Sequence, residues 1–113
     1  MSAKTLSLNI SERLASLAVL NSYKGNLDTL ATVLEDIRKF VVTEEDWAKA
    51  DKVETPTENG TNWTWDNDKA GLKDIEVAAE TAKFMLSDIE RRDAAGEFGI
   101  QDKPYITLKE KLK

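Results

Sequence analysis

Asn26 to Val42 carries the one pattern in this chain that fixes a fold element by itself. Leu27, Leu30, Val33, Leu34, Ile37, Phe40 and Val41 recur at the spacing of a single stripe on a helix of period 3.6. Asn26 after Gly25 supplies an N-cap, Asp28 lies in the first turn, and Arg38 and Lys39 lie in the last, so the charges complement the helix dipole. A stripe of this kind needs a core to face. The remaining apolar stretches read as its partners.

Upstream, Leu6, Leu8 and Ile10 alternate with Ser7 and Asn9, the period of a short half-buried strand. Ser11 reads as an N-cap, and a first helix is expected from about Glu12 to Leu20 with Leu14, Leu17, Ala18 and Leu20 inward. The loop Asn21–Gly25 then turns the chain into the organising helix. Downstream, Thr43-Glu44-Glu45-Asp46 is a capping-box pattern with Asp in the third position. It predicts a short helix from about Glu44 to Ala50, with Trp47 inward.

Asn59-Gly60 is the dipeptide best suited to a tight hairpin turn. It predicts strands over Lys52–Thr57 and Thr61–Trp65, with Trp63 and Trp65 on one face and Asn62 and Thr64 on the other. Pro56 cannot donate to a ladder, so its strand belongs at an edge or is broken there. Asp66-Asn67-Asp68 reads as a turn and Lys73–Val77 as a third strand, with Ile75 and Val77 inward. A long helix from about Ala79 to Ala95 follows, built on Ala78, Ala82, Met85 and Ile89 and closed by Gly96. Asp102 is expected to cap a last helix that faces Tyr105, Leu108 and Leu112 inward. The sum is an α+β fold: a small antiparallel sheet, made of the central hairpin plus one or two short strands, packed against four to five helices. At 113 residues the chain fits a single globular domain over 1–113 with a core of its own.

The chain contains neither histidine nor cysteine. Thiolate chemistry, disulfides and sulfur-ligated metals are excluded, and the usual general base and commonest metal ligand are missing. No P-loop, G-x-S-x-G or dinucleotide fingerprint is present. The expectation is therefore a protein that is not an enzyme and needs no cofactor. Asp66-x-Asp68-x-Ala70-Gly71-x-x-Asp74 imitates part of a calcium loop, but Val77 stands where the bidentate carboxylate belongs. No metal site is expected there. Glu44, Glu45 and Asp46 with Asp51 and Glu54 form a second acid cluster, which the dipole of a helix start explains. The N-terminus shows no signal-peptide pattern, and no stretch approaches the roughly 18 apolar residues of a membrane span. The Asn-x-Ser/Thr triplets at Asn9, Asn59 and Asn62 are read as chance in a cytoplasmic chain.

Net charge is −5, and the acids gather in the middle: Thr43 to Glu80 holds 11 Asp or Glu against 4 Lys. That balance argues against direct nucleic-acid binding and favours a protein partner with a basic surface. Tryptophan and tyrosine are enriched at binding hot spots, so the candidate partner-binding residues are Glu54, Glu58, Trp63, Trp65 and Asp66. Burial of Trp47, Trp63 and Trp65 in the core is the competing account of the same residues.

The order of Leu6-Ser-Leu-Asn-Ile10, Ser11-Glu-Arg-Leu-Ala-Ser-Leu17, Gly25-Asn26 before a Leu-rich helix, Thr43-Glu-Glu-Asp46, Asp74-Ile-Glu-Val77 and Leu108-Lys-Glu-Lys-Leu112 resembles a loose group of small acidic proteins encoded by bacteriophages and prophages. That pattern has a proline after Leu20, where this chain has Asn21, and a shorter hairpin. The resemblance carries no catalytic residues. It implies a small phage accessory protein rather than a housekeeping enzyme. The expectation is that it works in the cytoplasm of a bacterial host by binding another protein or, alternatively, by self-association as a virion or assembly component.

Overall fold

Leu6 and Leu8 are buried on one side of strand β1 (Lys4–Leu8), as their alternation requires. Their partner is β4 (Lys73–Val77), which pairs with β1 antiparallel, Leu6 opposite Ile75 and Lys4 opposite Val77. The two strands are far apart in the chain, so this ribbon closes the domain. A computed structural model describes residues 3–113. Between and after these strands run α1 (Ile10–Asn21), α2 (Leu27–Phe40), α3 (Glu44–Lys49), β2 (Val53–Thr57), β3 (Gly60–Thr64), α4 (Asn67–Ala70), α5 (Ala79–Ala94), a single 3₁₀ turn at Ile100–Asp102 and α6 (Pro104–Leu112). The α+β class is as the sequence predicts. The core lies where α1, α2, α5 and α6 cover one face of the β1–β4 ribbon, and it is filled by Leu6, Leu8, Val19, Leu20, Val33, Phe40, Ile75, Met85, Ile89 and Leu108.

The sheet departs from expectation. β2 and β3 pair only with each other, so the domain has two separate two-stranded ribbons instead of one sheet centred on the hairpin. Every residue of β2 and β3 is exposed. The sequence of β2 is Val-Glu-Thr-Pro-Thr, which offers no apolar face to set against the core and interrupts its own edge with proline.

Helix α1 begins at Ile10, capped by Asn9 and not by Ser11. The Asn9 side chain accepts the Glu12 N–H at 2.8 Å, and Glu12 Oε1 accepts the Asn9 N–H at 2.9 Å, a reciprocal capping box. Its inner face also differs from the leucine stripe. Leu14 and Leu17 are half-buried and Ala18 is exposed, whereas Glu12, Arg13, Ser16, Val19 and Leu20 are buried. Helix α1 packs against α2, α5 and α6 as well as β1. Its buried arc is therefore wide enough to enclose polar groups with designated partners.

Helix α2 keeps its Asn26 cap, Oδ1 accepting the Thr29 N–H at 2.8 Å. Only Val33, Asp36 and Phe40 are buried on it, with Ile37 packed alongside, while Leu27 and Leu34 face outward. Asp36 sits in line with Val33 and Phe40. It accepts the Ala78 N–H at 3.1 Å and the Thr81 hydroxyl at 2.6 Å, and pairs with Lys39 at 3.0 Å. Ala78 occupies the N-cap of α5 and has no capping side chain; Asp36 instead ties the start of α5 to α2 through the Ala78 N–H and the Thr81 hydroxyl. Further on, Gly96 ends α5 at φ 69°, the left-handed conformation of a helix terminus. Asp102 accepts the Gly99 N–H at 2.8 Å. It stabilises the 3₁₀ turn and not, as expected, the start of α6, where Pro104 opens the helix.

Replacing Asp36 with alanine strands the Ala78 amide and Thr81 hydroxyl in the core, which costs about 3 kcal/mol of stability. Leu27→Ala, on the exposed end of the same stripe, changes it by less than about 0.5 kcal/mol. Urea denaturation of the two variants separates these outcomes.

Candidate functional site

The β2–β3 hairpin projects from the body on a base of two tryptophans. Trp65 meets Trp47 of α3 edge to face, ring centroids 5.2 Å apart at 71°, a favoured aromatic geometry. The Trp65 Nε1–H lies 3.0 Å from Asn67 Oδ1 and 3.3 Å from Ser11 Oγ. Asn67 in turn donates through Nδ2 to Ser11 Oγ at 3.0 Å, and the Ser11 N–H donates to Asn67 Oδ1 at 3.2 Å. This knot ties the hairpin and α4 to the first turn of α1. Asp66 braces the same base separately: its N–H donates to the Ala50 carbonyl at 2.7 Å, and its carboxylate caps α4 by accepting the Asp68 and Lys69 amides.

The turn lies one residue earlier than the Asn-Gly pattern predicts. Glu58 and Asn59 span the gap between Thr57 and Gly60, which face each other. Gly60 alone takes the positive φ, at 136°; Asn59 does not. The left-handed requirement has moved onto the residue that bears it without strain.

Backbone pairing sets the two edges apart. An antiparallel ladder alternates bonded and non-bonded pairs, and Pro56, opposite Thr61, has no N–H to contribute. The bonded pairs are therefore Thr57–Gly60, Thr55–Asn62 and Val53–Thr64. The peptide groups of Glu54 and Pro56 on β2, and of Thr61 and Trp63 on β3, point outward. Proline interrupts the outer edge of β2, while that of β3 presents the N–H and C=O groups of Thr61 and Trp63, a template for another strand.

Side chains complete the surface. Glu54 stands opposite Trp63, and the Trp63 ring is half exposed at 51%. Lys52 Nζ lies 3.6 Å over the Trp63 ring and 4.9 Å from that of Trp47, and it pairs with Glu54 at 3.3 Å. The ammonium is thus held between aromatic faces. Glu58 is exposed at the tip. Of the five residues singled out in the sequence, Glu54, Glu58 and Trp63 are available on the projecting ribbon; Trp65 and Asp66 hold it in place. Trp47 and Trp65 are half-buried, so the tryptophans divide between support and surface.

The remaining acids are distributed, not pooled. Glu45 faces Lys49 at 3.9 Å, Asp51 pairs with Lys69 at 2.5 Å, and Asp46 pairs with Arg13 at 3.1 Å. Among the described residues, no three acidic side chains are grouped to hold a metal ion, and no helix is long and apolar enough to cross a membrane.

Sequence reasoning passed over Glu12 and Arg13. Glu12 is 1% exposed and pairs with Lys111 at 2.8 Å. Arg13 donates to the carbonyls of Phe40 and Val41 and to Asp46, joining α1 to the end of α2 and the start of α3. The available signal was Asn9-x-x-Glu12, which starts the helix at Ile10. The Thr43 amide, together with the Thr43 hydroxyl and Arg13, holds the Asp46 carboxyl below its ordinary value of 3.8, against the opposing effect of burial.

Comparison with models of known families, with curated proteins and with solved structures gives no match.

Trp65→Phe keeps a six-membered aromatic ring but loses the pyrrole half of the indole with its N–H, and costs about 1–2 kcal/mol; Trp63→Ala costs less than about 1 kcal/mol because the residue is half exposed and lies outside the core. Equal losses in urea melts contradict this division of support and surface. For Asp46 the folded pKa lies below the unfolded one, so its stabilisation is complete above the ordinary carboxylate range and disappears as pH falls through the depressed value. Asp46→Asn is accordingly less stable near neutrality. Between roughly pH 5 and pH 2 it loses less stability than the parent chain, as thermal melts across that range measure.

Proposed function

We propose that this protein is a non-enzymatic binding module, of the accessory type that bacteriophages encode, and that the β2–β3 hairpin is its contact surface. The observation that carries this reading is the asymmetry of the ribbon. It buries none of its residues in the core, it is braced at its base by Trp47 and Trp65, and one of its two edges is left open.

An isolated two-stranded hairpin is marginally stable in water, so a braced, projecting one is retained for what it presents. Here it presents Trp63, Glu54, Glu58 and the outward peptide groups of Thr61 and Trp63. A partner with a basic extended segment fits this surface. It adds as a strand along β3, its cations meet Glu54 and Glu58, and its apolar side chain covers Trp63. A basic groove in a host defence or nucleic-acid enzyme has the chemistry to be occupied in this way, in the bacterial cytoplasm. The absence of histidine and cysteine from the sequence supports binding over catalysis. Strand addition by a second copy is the assembly alternative.

The test is capture of the partner from bacterial lysate, followed by affinity measurement with the purified pair. Glu54→Lys combined with Glu58→Lys weakens binding at least about tenfold, while the melting temperature moves by no more than about 3 °C. Thr61→Pro, which removes an outward donor and leaves the ribbon's own ladder intact, weakens it as well. Undiminished capture by both forms eliminates the hairpin as the interface. Recovery of this chain alone directs the reading to assembly.

A further inference from the structure

A polar cleft of about 410 Å³ opens between α1, α3 and the start of β4, walled by Ile10, Arg13, Asp46, Lys49, Lys73 and Asp74. The Arg13 side chain, 3% exposed, forms its floor. Arg13 Nε donates to the Phe40 carbonyl at 3.4 Å, and Nη2 donates to the Val41 carbonyl at 2.5 Å and to Asp46 at 3.1 Å. Nη1 donates to nothing among the described residues. Nor is it sealed away: the buried side-chain polar atom cut off from both solvent and partner among those residues is Glu12 Oε2, not an Arg13 nitrogen. A nearly buried guanidinium in the wall of the cleft thus keeps two N–H groups without a partner among the described residues.

The cleft's other charges favour an anion. Lys49 stands at the limit of ion pairing with Glu45, 3.9 Å away, and Lys73 has no ion-pair partner among the described residues. Both carboxylates in the wall are engaged: Asp46 by Arg13 and the Thr43 amide, Asp74 by the Ser7 hydroxyl. The wall thus holds three cations and two acids, an excess of one positive charge in a chain whose net charge is −5.

We propose that this cleft binds a phosphate group. Its cationic side chains come from three elements, α1, α3 and β4, and a tetrahedral oxyanion offers more oxygens to share among them than a planar carboxylate with two. The ligand is a small phosphate, either the free ion or the end of a small phosphomonoester. The assignment stands apart from the hairpin and survives its failure.

Titration with inorganic phosphate at constant ionic strength, followed by ¹H–¹⁵N spectra that include the Arg13 Nε–H, tests the proposal. The expected result is a saturable, millimolar response at Arg13, Lys49 and the Leu72 and Lys73 amides, absent from a chloride blank. The Lys49→Ser, Lys73→Ser double variant leaves the core untouched, and it weakens binding about tenfold with its melting temperature preserved. Glycerol phosphate binding as well as phosphate assigns the site to phosphomonoesters; binding of phosphate alone assigns it to the free ion. A response equal to that of chloride, equal binding of acetate, or unchanged affinity in the double variant overturns the assignment.

Discussion

Taking a carboxylate or a guanidinium out of water costs several kcal/mol per ion, and this small domain does so at Asp36, Glu12 and Arg13. Each group is placed where it joins segments that apolar contact alone would leave free to slide. Asp36 of α2 anchors the start of α5 through the Ala78 N–H and the Thr81 hydroxyl. Arg13 of α1 holds the carbonyls that end α2 and the acid that begins α3. Glu12 closes the capping box at Asn9 and pairs with Lys111 near the end of the chain. Apolar burial is non-directional, whereas hydrogen bonds of this kind require one register. The order in which helices meet the β1–β4 ribbon is therefore specified by charge as well as by shape.

The same accounting explains why the hairpin lies outside the core. The four core strand residues Leu6, Leu8, Ile75 and Val77 already face the helices, and β2 and β3 have no comparable apolar face to add. What holds the ribbon is local: an aromatic edge contact, an ammonium between two rings, and the indole N–H bonded into the Ser11–Asn67 pair. Contacts of this size amount to about 0.5–1.5 kcal/mol each. They suffice to orient a hairpin but not to bury it, and the outer edge of β3 stays open.

Local rules were legible in the sequence where a segment satisfies its own backbone. Asn26, the Thr43–Asp46 capping box, Gly96 and the strand alternation of β1 and β4 all act within a few residues of themselves, and their elements lie close to where the patterns put them. The organising stripe of α2 was half right. Val33 and Phe40 are core, but Leu27 and Leu34 are exposed, because hydrophobicity gives the direction of a face and not its covered length. The buried polar residues were not legible. Glu12, Arg13 and Asp36 look like surface positions until their partners, dozens of residues away, are in place. The candidate site shows the same division: the hairpin, its edge proline and its tryptophans could be read, whereas the roles of Trp65 and Asp66 as supports, and the cleft floored by Arg13, depend on long-range neighbours.

Helix α3 is common to both surfaces. Trp47 on it packs against Trp65 and beside Lys52 at the hairpin base, while Asp46 and Lys49, one residue before and two after, line the Arg13 cleft. The helix is six residues long and contributes no apolar side chain to the core; it is positioned by its cap, by Arg13 and by the stacked rings. An element held by these few polar and aromatic contacts would feel a ligand on either side. An anion in the proposed cleft would lie beside Lys49, two residues from Trp47, and a strand added beside Trp63 would meet Lys52, which lies against Trp47. Any free energy of coupling between the two must be equal in both directions. The short helix, with few bonds to the rest of the domain, is thus the part of the fold through which the two surfaces can influence each other.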